Sequence, residues 1–337
     1  MKKTTRKKKL ITFIDLFAGI GGIRLGMEEA NFKCVFSSEI NLHCQETYKN
    51  YFKEDCIWGD ITKVCVDDIP NHDILCAGFP CQPFSISGKQ KGFEDTRGTL
   101  FFDICRILEA KNPSVVLLEN VKNLKYHDSG KTLATILRHL EELGYHVAWK
   151  ILNATSFGLP QNRERTIIIG SKKKVFDFNQ LKTKPYPPLK NFLEKKNPNF
   201  EYIDPSDYTL LEKPTLQRSG LIFTGYRNRK IRTNGVRPNT EHLSRVHKQP
   251  NRIYSQEGVH PTLPSQESAG RFFILNGKGV RKLTISECYA IMGFPKKFNR
   301  ISPLAEQYRQ IGNSVAVPMI ASIADQLKTQ FFKERIK

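Results

Sequence analysis

Strand-length apolar runs alternate with segments of helical period through the first half of this chain, and that alternation constrains its fold most. Residues 11–17 read as a buried strand, and residues 22–30 carry Ile23, Met27 and Ala30 at helical spacing. A second strand over 33–37 precedes a helix over 43–52, and residues 73–77 are again strand-like. An amphipathic helix over 100–109 must stop near Pro113, and 115–118 is the next buried strand. Leu133, Ile136, Leu137 and Leu140 mark one helix face, with Gly144 as its expected cap, before strand 166–169. Strands alternating with helices predict an α/β fold: a doubly wound, mostly parallel sheet.

After about residue 183 the pattern breaks down. Prolines at 185, 187, 188, 198, 205, 214, 238, 250, 261 and 264 fragment the chain into short irregular strands and loops. Helical signals return at Thr284-x-x-Glu287, a capping-box pattern, and over 318–327. The expected division is 1–184 for a catalytic domain, 185–283 for a smaller irregular β-rich domain, and 284–337 for a hinge with a returning C-terminal helix.

A formal charge of +20 over 337 residues points to a polyanionic partner, nucleic acid first and an anionic membrane second. No apolar run approaches the roughly 18 residues of a membrane span. The basic N-terminus imitates a secretory signal, but Asp15 and Arg24 interrupt the apolar segment behind it. The eight cysteines contain no Cys-x-x-Cys pair. Reduced thiols in a cytoplasmic protein are expected, and each cysteine is judged singly.

Asp15-Leu-Phe-Ala-Gly-Ile-Gly-Gly22 joins a strand to a helix, and its glycines let backbone pass close to a ligand. Glu39, twenty residues after Gly19, ends the second strand, where a carboxylate can hold ribose hydroxyls. A dinucleotide fingerprint would need glycine at 24, where Arg24 stands, which weakens an NAD oxidoreductase. The segment by itself is a nucleoside-binding turn or a purely structural one.

Cys81 lies in Gly78-Phe-Pro-Cys-Gln-Pro83, just past a strand that ends at the same crevice. An inert buried cysteine is the ordinary reading, but flanking prolines and glycine favour a turn. The polar run behind it, with Gln82, Ser85, Ser87 and Lys89, suits a lid over substrate. Glu119 ends the next strand, either as a cap or as an acid beside a thiol nucleophile. Alternation along an extended segment would put Gln161, Arg163 and Arg165 on one face. The two arginines could hold a phosphate, or orient Glu119 and a base.

Phe-Ala-Gly-Ile-Gly-Gly, Gly59-Asp60-Ile61, Pro80-Cys81-Gln82, Glu119-Asn120-Val121, Gln161-x-Arg163-x-Arg165 and Gln310-Ile-Gly312-Asn313-Ser314-Val315 occur in that order. The series resembles the bacterial DNA cytosine-5 methyltransferase family, the HhaI methyltransferase type in particular. It spans nearly the whole chain except about 185–275. The resemblance implies S-adenosylmethionine as methyl donor, no metal, and a target base flipped out of duplex DNA. Cys81 would add to C6 of cytosine, Glu119 would serve N3, and Arg163 and Arg165 would orient Glu119 and the flipped nucleotide. Phe17, Gly19, Gly21 and Gly22 would surround the methionine part of the cofactor, Glu39 its ribose, and Asp60 and Ile61 its adenine. Pro80, Leu100, Asn313 and Val315 would complete that pocket. Ile40 stands where the family often carries an aromatic residue facing the adenine, and it can still pack there. A monomer paired functionally with a restriction endonuclease for the same site, with no physical contact and no membrane, is the expected setting.

Between 218 and 252, nine basic residues accompany one acid, Glu241. They include Arg218, Arg227, Arg229, Arg232, Arg237, Arg245 and Arg252. Arginine over lysine favours planar readout of guanine edges and phosphates, where a solvated face is the plain alternative. Tyr226, His242, His247, Asn251 and Tyr254 are interleaved. This stretch coincides with the family's variable target-recognition region. A tRNA cytosine-5 methyltransferase and a non-catalytic DNA-binding protein are the competing readings.

Overall fold

The computed structural model describes residues 10–54, 56–80, 100–229, 239–265 and 272–336. The chain forms two compact units, one of Met1–Leu152, Glu164–Lys182 and Met319–Lys337, the other of Asn153–Arg163 and Thr183–Pro318. In this division the short piece 153–163, residues 183–184 and residues 284–318 group with the second unit, and 319–337 with the first.

The first unit holds β1 (Thr12–Leu16), β2 (Lys33–Ser38), β3 (Ile74–Gly78), β4 (Val115–Val121), β5 (His146–Asn153) and β7 (Glu164–Ser171). The short β6 (Gln161–Asn162) belongs to the other unit. The sheet order is β2-β1-β3-β4-β7-β5. Pairs β1–β2, β1–β3 and β3–β4 are parallel, and β4–β7 is antiparallel. Intervening helices are α1 (Gly22–Glu29), α2 (Leu42–Phe52), α3 (Leu100–Lys111) and α4 (Lys131–Glu142). Helix α3 ends where Asn112 takes φ 44 before Pro113, and Gly144 at φ 79 follows α4.

Strand alternation sorts the side chains between the two faces of the sheet. Ile14, Leu16, Phe36, Leu75, Ala77, Val116, Leu118 and Ile168 share one core with Phe101 and Ile104 of α3 and Ile136 and Leu140 of α4. The opposite parity turns Asp15 and Ser37 toward Tyr48 of α2, whose hydroxyl lies 2.6 Å from Ser37 Oγ and 3.5 Å from Asp15 Oδ2. Arg24 of α1 reaches the same place. It bonds Glu28 at 2.7 Å and Glu54 at 2.8 Å, and its guanidinium lies 4.1 Å from the Phe52 ring centre. The residue that breaks a dinucleotide fingerprint is thus a clamp between two helices.

The second unit contains a five-stranded sheet, order β13-β12-β10-β9-β8. Its strands are β8 (Tyr208–Leu216), β9 (Ile222–Arg227), β10 (Arg252–Ser255), β12 (Phe273–Asn276) and β13 (Gly279–Lys282). Separately, β11 (His260–Pro261) pairs in parallel with β6. The capping box at Thr284 opens α5 (Ile285–Ala290), as expected from its spacing. Helix α6 (Leu304–Asn313), which the sequence reading did not separate from the motif it contains, follows Pro303. The last long helix, α7 (Val317–Phe331), is longer than its apolar face predicted. Among the described residues no helix is long and apolar enough to cross a membrane.

Asp15 is fully buried, and one of its carboxylate oxygens has no hydrogen-bond partner among the described residues. Burial pushes its carboxyl up to about 8, which the Arg24 charge partly opposes and Glu39 and Glu28 reinforce. A folded-state pKa above the unfolded value stabilises the fold fully below about pH 4, and that contribution is lost as pH rises through about 8. Asp15→Asn should therefore gain thermal stability relative to the wild type as pH rises across that window. Melting curves of the two proteins that run parallel with pH would contradict this account.

Candidate active site

The parallel strands of the first unit end together, and the residues at their carboxyl ends form one rim. At β1 the chain turns through Phe17 at φ 55, Gly19 at φ 55 and Gly21 at φ 84 into α1. A Cβ at Gly21 would stand 2.2 Å from the Phe52 ring, so packing as well as conformation requires glycine there. A Cβ at Gly19 would meet nothing within 4 Å among the described residues, so the turn is open at that position. Gly19 N–H donates to Glu39 Oε2 at 2.8 Å, and Asn41 N–H donates to Glu39 Oε1 at 2.7 Å. Each oxygen of Glu39 thus takes one backbone donor and keeps lone pairs for another partner.

Trp58 N–H donates to Ser37 O at 2.9 Å and Glu39 N–H to Trp58 O at 2.8 Å, so the chain entering Asp60 runs alongside the end of β2. Asp60 Oδ1 accepts from the hydroxyl of Thr62 at 2.8 Å and its N–H at 3.1 Å, and these bonds hold its carboxyl below the usual range. Ile61 is buried, whereas Ile40 is 69% exposed. Leu100 begins α3, and Pro80 is exposed just beyond β3. Asn313 ends α6 and Val315 is buried close behind it, both in the second unit.

Glu119 faces Gly78 in the β3–β4 register, and a Cβ on Gly78 would lie 3.5 Å from Glu119 Oε2. In the β4–β7 ladder Val121 opposes Arg165 and Glu119 opposes Ile167, so Glu119 and Arg165 are diagonal neighbours on one face. Arg165 Nε lies 2.9 Å from Glu119 Oε1, with both side chains 11% exposed. Burial pushes the Arg165 guanidinium below its ordinary range, and the Glu119 carboxylate opposes that shift.

Asn120, quoted within a motif but given no role, donates through Nδ2 to Phe79 O at 2.9 Å. It ties the end of β4 to the chain that leaves β3 toward Cys81. An amide beside Glu119 at the end of an apolar run was the available signal. Cys81 itself, with Gln82, Ser85, Ser87 and Lys89, lies outside the described residues.

Gln161, Arg163 and Arg165 do not share one strand face. Arg163 N–H bonds Gln161 O at 2.9 Å, a tight turn that breaks the extended segment. The piece before it pairs with β11 and the piece after it with β4. Gln161 Oε1 accepts from Leu263 N–H at 3.1 Å, and its Nε2 donates to Ile291 O at 3.1 Å. Arg163, fully buried, donates to the carbonyls of Leu263 at 3.1 Å, Gly312 at 2.8 Å and Ser314. Arg165 therefore makes the pair with Glu119, while Arg163 holds the Gly-Asn-Ser-Val segment within the second unit. A Cβ on Gly312 would lie 2.1 Å from Pro264 O, so that glycine is required by close backbone contact.

The arginines of the second unit also divide. Arg218, Arg229 and Arg245 are exposed. Arg227 is half-buried, 5.1 Å from the Phe273 ring centre. Arg252, half-buried, donates through Nε to His247 O at 3.0 Å and through Nη1 to Gln249 Oε1 at 2.5 Å. Arg232 and Arg237 lie outside the described residues. Of the interleaved rings, His247 is buried and stacks on Tyr226 at 4.0 Å, and Tyr254 is fully buried. They serve the core of the sheet.

A doubly wound sheet with a glycine turn and a buried acid–arginine pair at its rim, joined to a separate β-rich unit, defines an α/β methyltransferase fold. The family model for C-5 cytosine-specific DNA methylase matches residues 11–329. Type II methyltransferase M.NlaX of Neisseria lactamica is 42% identical over 95% of this chain and 96% of its own length. Type II methyltransferase M.HhaI of Haemophilus parahaemolyticus is 42% identical over 93% of each. The solved structure of the Entamoeba histolytica methyltransferase EhMeth matches with a TM-score of 0.69. It is 20% identical and covers 95% of this chain and 98% of that one, a likeness of fold. The chain belongs to the C-5 cytosine-specific DNA methylase family and is a DNA cytosine-5 methyltransferase.

The two arginines should respond differently to lysine. Arg163→Lys keeps the charge but reaches fewer carbonyls, and each acceptor left bare should cost about 1–3 kcal/mol. Arg165→Lys can keep one charged contact to Glu119 and should lose less stability. Urea denaturation measures both, and equal losses would contradict the division of roles.

Proposed function

We propose that the protein transfers a methyl group from S-adenosylmethionine to C5 of cytosine at a specific site in duplex DNA. The observation that carries the reading is the buried Glu119–Arg165 pair at the end of β4, beside the strand whose chain continues into Cys81. The cofactor reading is supported by the turn's openness at Gly19 among the described residues and the backbone-held carboxylate of Glu39. Phe17, Gly19, Gly21 and Gly22 would hold the methionine part, with the N–H groups of the first turn of α1 available to its carboxylate. Glu39 would hold the ribose, and Asp60, Ile61, Ile40, Pro80 and Leu100 the adenine side.

The target cytosine leaves the stack to reach the rim. Cys81 adds through Sγ to C6 while Glu119 passes a proton to N3, which makes C5 nucleophilic. Arg165 keeps the Glu119 carboxyl in place before and after that transfer. S-adenosylmethionine, when bound, supplies the electrophilic methyl group that C5 takes. Loss of the C5 proton to solvent then restores the ring double bond and releases the Cys81 thiolate, and N3 returns its proton to the Glu119 carboxylate. Exposed Arg218, Arg229 and Arg245 are the favoured DNA contacts of the second unit, and Arg227 and Arg252 support its sheet. The name Type II methyltransferase, shared by both relatives, supports a place in a restriction–modification system.

DNA carrying 5-fluorocytosine at the site should trap the protein covalently, because fluorine cannot leave C5 as a proton does. Bisulfite sequencing of DNA from expressing cells identifies that site first. Cys81→Ser should form no adduct and transfer no methyl group while still binding the DNA. A wild type that methylates the site yet never forms the adduct would remove the covalent mechanism.

Glu119→Gln keeps the shape of the side chain but loses its transferable proton. Turnover should fall by about 10²–10⁴-fold, with cofactor affinity little changed. A variant with normal turnover and weakened cofactor binding would reassign Glu119 to the pocket.

A further inference from the structure

Trp58 stands at the same rim without a part in the chemistry above. Its backbone is bonded on both sides to the end of β2, at Ser37 O and at Glu39 N–H. Ser38 Oγ fastens the next residue by donating to Gly59 O at 2.7 Å. The indole stacks on Phe36, with ring centres 5.9 Å apart and planes 26° apart. Phe36 is 7% exposed, whereas Trp58 keeps 39% of its surface open. A large ring is thus held by its own backbone and by a buried neighbour, yet offers aromatic surface to solvent.

That surface lies in sequence between two groups of the nucleoside rim. Trp58 O accepts from Glu39, the proposed ribose carboxylate, and Asp60, proposed for the adenine, follows two residues later. Ile40, the other apolar side chain at the end of β2, is 69% exposed and has no π face. A flat, electron-rich ring held in advance beside a ribose-binding carboxylate matches a purine, which stacks on such a face with little loss of freedom.

We propose that Trp58 is a cofactor-contacting residue that supplies the aromatic surface for the adenine ring, a role Ile40 cannot fill. This rests on the S-adenosylmethionine reading of the rim. The stacking gain corresponds to about three- to tenfold in affinity.

Trp58 and Trp149 are the two tryptophans of the chain, so Trp149→Phe leaves Trp58 as the sole indole reporter. Titration of that variant with S-adenosylhomocysteine should quench its emission saturably, at the dissociation constant found by calorimetry. In the wild-type background Trp58→Ala should bind S-adenosylhomocysteine about three- to tenfold more weakly, and Trp58→Phe should recover most of the loss. Binding by calorimetry with no change in Trp58 emission and unchanged affinity in Trp58→Ala overturns the assignment and leaves the cofactor reading standing. A loss in Trp58→Ala that Trp58→Phe does not recover, with a lowered melting temperature, overturns it in favour of a support for Phe36. Failure of the wild type to bind S-adenosylhomocysteine at all overturns the cofactor reading and this inference with it.

Discussion

The register between the antiparallel strands β4 and β7 governs the chemistry of the first unit. Val121 opposite Arg165 puts the guanidinium diagonal to Glu119 on the same face, within reach of a long side chain. A slip of one residue in this pairing would put the two groups on opposite faces of the sheet. Neither group is tolerable there alone, since a buried charge stripped of its partner costs about 3–5 kcal/mol. The parallel β3–β4 pairing then brings Gly78 against Glu119, and Asn120 fastens the exit of β3. The Glu119 carboxylate is thereby fixed by three strands rather than by a loop.

The second unit solves a similar problem with backbone acceptors. Arg163 satisfies carbonyls from two segments far apart in sequence, at Leu263 and at Gly312 and Ser314. Gln161 adds bonds to Leu263 and Ile291. Arg281 and Glu287, both nearly inaccessible, pair through two bonds of 2.8 and 2.7 Å, and Glu287 also takes the N–H groups of Glu194 and Thr284. A region fragmented by prolines has few long helical or strand ladders to satisfy its backbone. Charged side chains carry that burden instead, since their hydrogen bonds are stronger than neutral ones.

Below the glycine turn of the first unit lies a polar layer of Asp15, Ser37, Tyr48 and Arg24 that touches no proposed ligand. It holds β1, β2, α1 and α2 together directly behind the turn. A buried carboxyl with one oxygen unmatched among the described residues is costly, and its other oxygen accepts from Tyr48 of α2, which in turn accepts from Arg24 of α1.

The alternation of apolar strands with helical faces determined the first unit, because a parallel sheet covered on both sides needs those two periods. Side-chain type and position at strand ends made Glu39 and Glu119 legible as strand-end residues, since any doubly wound sheet gathers its carboxyl ends. Strand β5 and helix α6 were not separated by periodicity, β5 because its residues are mostly only half-buried and mixed in polarity. The two arginines of Gln161-x-Arg163-x-Arg165 looked equivalent in sequence. Only the tertiary structure parted them, because the turn at Arg163 and the partners 100 and 149 residues away are long-range facts that no local pattern records. The same holds for Arg252, His247 and Tyr254, whose bonds and burial within the second unit no local composition records. Local pattern fixes which face a residue takes; the distant acceptor that it meets there is set by how the chain returns.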